Sequence, residues 1–550
     1  MKSNKFLKWD RRPCLSIMAI AASVFVIAGL SAACNKTAQG PVKPRTIVTA
    51  DPELDDNNSM IRFILHATDF RIDGLVYTSS RFHWRGDGKG TTQFIEGSEY
   101  AQLGLGPQTS WRWSQDERFI NDILDAYEEC YDNLRVHDQG YPDPEYLKSV
   151  TVYGNCDFEG DYSEDTDGSN LIKKNILDDK PGPLFLQAWG GSSSIAAALR
   201  SIEDEFKNTP QWESVYKKVC DKIVLCLSGD QDNAYNKYIA VNWPDAYVQN
   251  FRGGMGRYDN SSFSYLTSPE WTAENLRSGP IGALVRCWGD GKQMVPGDVM
   301  DVIGPYKGES VQELAEMGYI LWRAPSPIGT LYGDGDSGCF FNLIGNGLRA
   351  WEDPVWGGWA GRWDQKSGTP RSGHPSYMSM DIIAMHKRTI EAARSGSTND
   401  GLSMMGFGMS GFGGAGNREE DHTFPNMFPE RNLAEAARML WSVTPKFEDA
   451  NHYPVLTGPL NISAKPGKTV KINATASDPD GDQLDIKWWY FPVGTYECTA
   501  LSVDSPAAAQ TTFTVPEDAK TGDTIHFVLQ AADHGTPALT KYLRTIITVL

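Results

Sequence analysis

From Pro44 onward short apolar runs alternate with amphipathic segments, and this alternation constrains the fold more than any other feature of the chain. "RTIVTA" and "IDGLVYTS" read as strands rich in Ile and Val, with "NNSMIRFILHAT" between them as a helix. "GPLFLQAW" reads as a further strand, "SSSIAAALRSIEDEF" as a helix, and "KIVLCLSG" as the strand after it. Consecutive strands joined through helices require crossover connections, which are right-handed and leave helices on both faces of a parallel sheet. The pattern therefore predicts an α/β domain with a mostly parallel sheet and flanking helices.

Past about residue 256 the pattern loosens into Gly-, Pro- and Trp-rich stretches such as "YGDGDSGCFFNLIGNGLRAWEDPVWGGWAGRWD". "SMMGFGMSGFGGAGNREED" (403–421) reads as a surface loop, or as a groove lined by its methionines. "NLAEAARMLWSV" (432–443) reads as the helix that closes a domain spanning 44–445. After "NHYP" (451–454) short alternating strands and turns take over, in "TVKINATASDPDGDQLDIKWWYF", "TTFTV", "TIHFVLQAADHG" and "YLRTIITVL". Those predict an immunoglobulin- or cadherin-like β-sandwich over 454–550. Trp488 and Trp489 are adjacent, so in a strand one faces inward and the other outward, where it meets carbohydrate or, as favoured here, the large domain. A chain of 550 residues is long enough for these two cores.

The first 33 residues read as a signal peptide, a basic stretch followed by an apolar one. "LSAAC" is similar to a bacterial lipoprotein signal, which makes Cys34 the lipidated first residue of the mature chain. That implies export to the cell envelope as a lipid-anchored outer-membrane or periplasmic lipoprotein, with a soluble secreted form as the alternative. The formal charge of −19, with no compensating basic stripe, argues against nucleic acid as a partner. The remaining cysteines are scattered, so they outline neither a disulfide scaffold nor a structural zinc site.

"TADPELDDNN" then places Asp51, Glu53, Asp55 and Asp56 where the first strand hands over to its helix. Ligands of open α/β sheets bind outside the carboxyl ends of the strands. Crowded carboxylates raise one another's pKa, and a hard cation with oxygen ligands relieves that repulsion. A surface turn that only caps the helix is the plainer alternative.

"TADPELDD" resembles the D-x-D-P-x-x-D-D signature of the inosine-uridine-type nucleoside hydrolases. The resemblance implies calcium as cofactor, with Asp51 as calcium ligand and base for the attacking water, Asp55 on the sugar hydroxyls, and Asp56 on the metal. The family's first aspartate is Thr49 here. The wider chain is closer to a bacterial nucleoside-hydrolase-like family, one member of which is labelled a cellulose-binding protein. That likeness runs through "DTDGSNLI", "QAWGGSSSIAAAL", "SGDQDNA", "GDGDSGCFFNLIGNGL", "WGGWAGRW", "ANHYP", "SDPDGDQL" and "ADHGTPALTKYLR". It implies Asp336 as the remaining calcium ligand, with Gly335 where the hydrolases carry a leaving-group histidine. Acid assistance then has to come from elsewhere, and Asp334, if protonated, is the candidate. "GGSSS" stands where relatives tend to have "GGANT", so Ser193 replaces an amide that can hold a sugar hydroxyl.

Further candidates for substrate contact are Asp230, Gln231, Asp232 and Asn233, whose acids and amides suit paired hydrogen bonds to hydroxyls or ordinary turn formation. Trp189 suits ring stacking or core packing, and Arg362 a polyhydroxyl ligand or a structural role. His83 is a loop histidine that could act as general acid. Asp478, Asp480 and Asp482 form an acidic turn that either binds a second calcium or closes on itself.

Together these readings point to an exported calcium-dependent hydrolase of glycosyl or N-glycosyl bonds at a furanose-like sugar, its ligand a carbohydrate or nucleoside-like molecule. The competing reading is a non-catalytic, carbohydrate-binding surface lipoprotein. The related hydrolases often assemble through their sheet, so the resemblance also implies a homo-oligomer as one form.

Overall fold

The structure, a computed structural model, describes residues 43–250, 263–361, 375–396, 409–410, 427–498 and 500–550. The leader with Cys34, residue Arg362 and nearly all of the methionine-rich segment lie outside the described residues. No helix among the described residues is long and apolar enough to cross a membrane.

Six strands make the central sheet: β1 (Arg45–Ala50), β2 (Arg71–Tyr77), β3 (Thr151–Tyr153), β4 (Leu184–Ala188), β5 (Ile223–Leu227) and β6 (Tyr247–Asn250). All are parallel, in the order β3-β2-β1-β4-β5-β6. The chain therefore builds outward from β1 in one direction, then returns to lay β4 on its other side. That reversal opens a crevice at the carboxyl ends of β1 and β4, where open α/β sheets bind ligands. Val48, Leu75, Leu186 and Leu225 are fully buried, as strands covered by helices on both faces must be.

Helix α1 (Leu54–Leu65) follows β1 and packs Met60, Phe63 and Ile64 into the core. Its opposite face is buried too, and that face is polar: Asn58, Ser59 and Arg62 are all covered. Residues spaced three and four apart share a helix face, as Ser59 and Asn58 do with Arg62, so these three can grip one neighbouring segment. Helix Phe428–Val443 packs close by, with Arg438 Nη1 donating to Leu65 O at 3.0 Å.

The C-terminal region is a distinct, largely antiparallel β-domain. Its four-stranded sheet runs Asn461–Ala464, Thr540–Val549, Thr524–Asp533, Leu484–Phe491, and only the first pair is parallel. Trp488 faces this domain's own core, while Trp489 packs on the core of the α/β domain, as strand alternation requires. Arg544 seals the contact. Its Nε donates to Leu348 O and its Nη2 to Trp356 O, both at 2.7 Å, and its guanidinium lies 4.6 Å from the Phe491 ring. The seven described cysteines are all free thiols.

Candidate metal centre at the end of the first strand

β1 stops at Ala50 and the chain turns at once. The Thr78 N–H donates to Ala50 O and the Glu53 N–H to Asp51 O, each at 2.9 Å. The Asp51 N–H donates to Asp56 Oδ1 at 3.2 Å, which ties the strand end to the first turn of α1. Asp51 is 0% and Asp56 1% exposed, whereas Glu53 and Asp55 are only partly covered. Solvent therefore reaches the cluster from the side of Glu53 and Asp55.

The buried polar face of α1 brings in a segment from far along the chain. Asn58 Nδ2 donates to Gly333 O at 2.9 Å and to Arg286 O at 3.0 Å. One residue on, Ser59 Oγ accepts the Asp336 N–H at 3.1 Å. Asp336 is thereby held beside Asp51, Asp55 and Asp56, and its charge acts on Asp56 more than that of any other neighbour.

Removing this many carboxylates from water disfavours their charged forms. Burial pushes Asp51 up to about 7, with the Ser80 hydroxyl opposing the shift and the charge of Asp55 adding to it. Burial, then Asp336, raises Asp56 well above the usual carboxylate range. Burial, then Asp55, does the same to Asp336 and to Glu53. The Ser80 hydroxyl is near enough to ease the charge on Asp51, yet neither of its buried carboxylate oxygens meets a donor at full hydrogen-bonding geometry. Buried polar atoms are nearly always partnered, and a divalent cation is the partner that would relieve both defects. Ligand atoms of Glu53, Asp55 and Asp56 lie within 4.8 Å of one another, as do those of Asp51, Glu53 and His83. The donor set thus fits a metal ion.

Two glycines make room for the carboxylates. A Cβ on Gly190, just after β4, would stand 2.9 Å from the Asp51 carboxyl, and one on Gly335 would stand 2.0 Å from Asp55 Oδ2. Thr49, at the place of the missing aspartate, is fully buried and donates its hydroxyl to Gln187 O at 3.1 Å. It belongs to the sheet rather than to the cluster.

Other sequence candidates are engaged elsewhere. Asp334 is buried in an ion pair with Arg62, Nε to Oδ2 at 3.2 Å, and the same guanidinium reaches Glu435 at 2.5 Å. The proposed proton donor is thus held by a cation on α1. Trp189 is fully buried between Phe63 and Phe340, and its indole N–H donates to Gln187 Oε1 at 2.9 Å, so no ring face is open to a sugar. Asp232 accepts the Ser193 N–H at 2.8 Å and the Ala234 N–H at 3.0 Å, at the start of helix Ser193–Phe206. The hydroxyl of Ser193 lies 3.4 Å from Asn155 O. Gln231 Nε2 donates to the carbonyls of Trp189 and Ser228. Asn233 takes the left-handed φ of 63° that the turn needs. Asp230 accepts from Asn236 through Oδ2, while its buried Oδ1 has no hydrogen-bond partner. Burial, then the charge of Asp232, pushes Asp230 up to about 7. These residues knit the ends of β4 and β5 together, and Asp230 Oδ1 and Gln231 Oε1 are buried without a hydrogen-bond partner.

His83 is the residue whose place the sequence did not disclose. Ser80 Oγ accepts the N–H groups of Phe82 at 3.0 Å and His83 at 3.2 Å, a hydroxyl turn that swings the loop after β2 back over Asp51. In the acidic turn of the β-domain the ligand atoms of Asp478, Asp480 and Asp482 also lie within 4.8 Å of one another. Asp478 Oδ1 accepts the N–H groups of Asp480 and Asp482, and Asp480 pairs with His452.

A parallel sheet whose first strand ends in a turn of buried carboxylates defines a nucleoside-hydrolase-like protein. The chain belongs to the family described as "Cellulose-binding Sde182, nucleoside hydrolase-like domain", which it matches over residues 45–363. Residues 469–549 match "Cellulose-binding protein Sde0182, C-terminal domain". Among solved structures the chain is similar to a nucleoside hydrolase-related hypothetical protein from Saccharophagus degradans associated with carbohydrate metabolism. The identity is 22% and the TM-score 0.61, over 92% of this chain and 100% of that one. A comparison with curated proteins gave no match.

Proposed function

We propose that this is an exported, carbohydrate-binding protein of the cell envelope, which takes up a glycan through its hydroxyls at a cation held by Asp51, Asp55, Asp56 and Asp336. The observation that carries this reading is the contact between Gly335 and Asp55, since no side chain fits at 335 while Asp55 keeps its place. The resemblance to nucleoside hydrolases puts their leaving-group histidine at that position. The described site thus has carboxylates for a cation and a polyol, while Asp334, the other candidate acid, is tied to Arg62. An all-oxygen donor set suits calcium. The cellulose-binding description of the family and the carbohydrate association of the Saccharophagus relative support a glycan over a nucleoside. The basic and apolar leader, with Cys34 as lipidated residue, supports the envelope location.

A second reading, calcium-dependent hydrolysis of a glycosyl or N-glycosyl bond at a furanose-like sugar, has one observation in its favour. Asp51 is buried beside the cluster and pushed up to about 7, a value suited to a general base. One set of samples separates the two readings: cello-oligosaccharides, arabinose-containing oligosaccharides and nucleosides, titrated with calcium or with chelator, with free sugar measured throughout. The binding reading expects calcium-dependent retention of a glycan, lost in Asp56→Asn, with no sugar released. Calcium-dependent release of sugar, lost in Asp51→Asn, would replace it with the hydrolase.

A further inference from the structure

We propose that Asp51, Glu53 and His83 form a mixed nitrogen and oxygen site for a transition-metal dication of the zinc and manganese class, beside the carboxylate cluster and sharing Asp51 with it. One ligand atom from each residue lies within 4.8 Å of the others, a spread that a small ion closes by drawing each inward. The second observation is independent of the acidic residues. His83 is 0% exposed, and its Nε2 has no hydrogen-bond partner.

The other ring nitrogen explains why Nε2 is a ligand and not a donor. His83 Nδ1 lies 2.8 Å from Arg112 O, and a carbonyl can only accept, so the ring proton sits on Nδ1. That leaves a lone pair on Nε2, buried and without a hydrogen-bond partner, as the ring's ligand atom. A backbone carbonyl fixing the tautomer of a histidine is the usual support behind a metal-bound imidazole. Arg112 is itself held for this task in the left-handed region, φ 44°, with its Nε donating to Asp298 Oδ2 at 2.7 Å and Nη1 3.6 Å from Glu99. Those acids balance its charge beside the site.

Glu53 faces the charge of Arg112. It occupies the N-cap position of α1, yet its side chain makes no cap hydrogen bond. Imidazole nitrogen favours zinc, manganese, iron and their neighbours over calcium and magnesium, which seek oxygen alone. The two groups of ligands therefore differ in the ion they select, and the histidine site does not depend on the glycan reading.

The test uses the full-length chain stripped by chelator, with cobalt as an optical probe and zinc as competitor. The proposal expects visible cobalt d–d absorption that zinc abolishes. It expects His83→Gln to weaken zinc binding by about tenfold or more while calcium binding is unchanged. Glu53→Gln, at a partly exposed position, should weaken zinc similarly and guards against a folding defect at the buried histidine. Zinc-soaked crystals of the unaltered protein should show an anomalous peak at about 2.1 Å from Nε2 of His83. Unchanged zinc affinity in folded His83→Gln, or no anomalous peak at Nε2, overturns the proposal. Loss of calcium binding or of glycan retention alone would overturn the glycan reading and leave this site standing.

Discussion

Gly335 and Asp55 share one space: a Cβ at Gly335 would lie 2.0 Å from Oδ2 of Asp55 and 3.0 Å from its Cγ. Any residue with a Cβ at 335 therefore has to push the Asp55 carboxylate out of its present place. Gly335→His, which restores the histidine of the hydrolases, is expected to weaken calcium binding by about tenfold or more without creating sugar release. Calorimetry and a reducing-sugar assay on the same variant check both halves.

Two buried acids contribute to the pH response of the metal-free protein with a definite sign. Burial raises Asp51 from 3.8 to about 7, and raises Glu435 from 4.5 to about 7 with Arg62 opposing and Asp334 adding. Between those values the folded chain keeps protons that the unfolded chain has lost. Their contribution to stability is thus fully present below pH about 4 and is lost as pH rises through about 7, at up to roughly 1.4 kcal/mol per pH unit for each group. Buried neutral histidines, His66, His83 and His526 among them, contribute with the opposite sign, so the measurement is a difference. Relative to an Asp51→Asn/Glu435→Gln variant, the Tm of the parent in chelator should fall across this window. Saturating calcium should flatten the part due to Asp51, because the bound cation stabilises the ionised form. A parent Tm that rises relative to the variant's from about pH 5 to 7 in chelator would contradict this.

Arg62 pairs with Asp334 and Glu435, all three buried. Arg62→Met leaves two buried acids without their cation and should destabilise the fold by about 3–5 kcal/mol. Replacing all three with apolar residues of similar volume should recover most of that loss. Chemical denaturation of both variants measures the difference.

Between the two domains His137 Nδ1 lies 2.8 Å from His452 Nε2, and His452 Nδ1 lies 2.9 Å from Asp480. His137 Nε2 donates to Thr444 O at 2.7 Å, so its Nδ1 accepts the His452 N–H. His452→Ala breaks this chain and is expected to lower stability by about 1–3 kcal/mol, with cleavage between the domains faster under limited proteolysis.

Much of the fold was legible in residues whose role is set by their neighbours in sequence. β1, β2, β4 and β5 are short runs rich in Ile, Val and Leu, and α1 announces itself through Met60, Phe63 and Ile64. β3, with three residues, and β6, "YVQN", are too short and too polar at their ends to stand out. The adjacent Trp488 and Trp489 split between two cores as alternation predicts.

The acidic turn was legible for the same reason, since Asp51 through Asp56 are contiguous. What stayed hidden depends on long-range contacts. Trp189 carries the residue type of a sugar platform, and only its enclosure by Phe63 and Phe340 makes it core. Asp334 stands two residues from Asp336, yet its carboxylate is taken up by an ion pair with Arg62. His83 joins Asp51 through a turn built on one hydroxyl, Ser80, in a stretch with no periodicity to read.

Whether the carboxylate cluster holds a cation is measured by calorimetric titration of calcium into the chelated protein, beside an Asp51→Asn/Asp56→Asn variant. Saturable binding is expected, tightening as pH rises through about 7, the value for Asp51, and lost in the variant. Absence of heat in the parent protein, or equal binding in both, would contradict it.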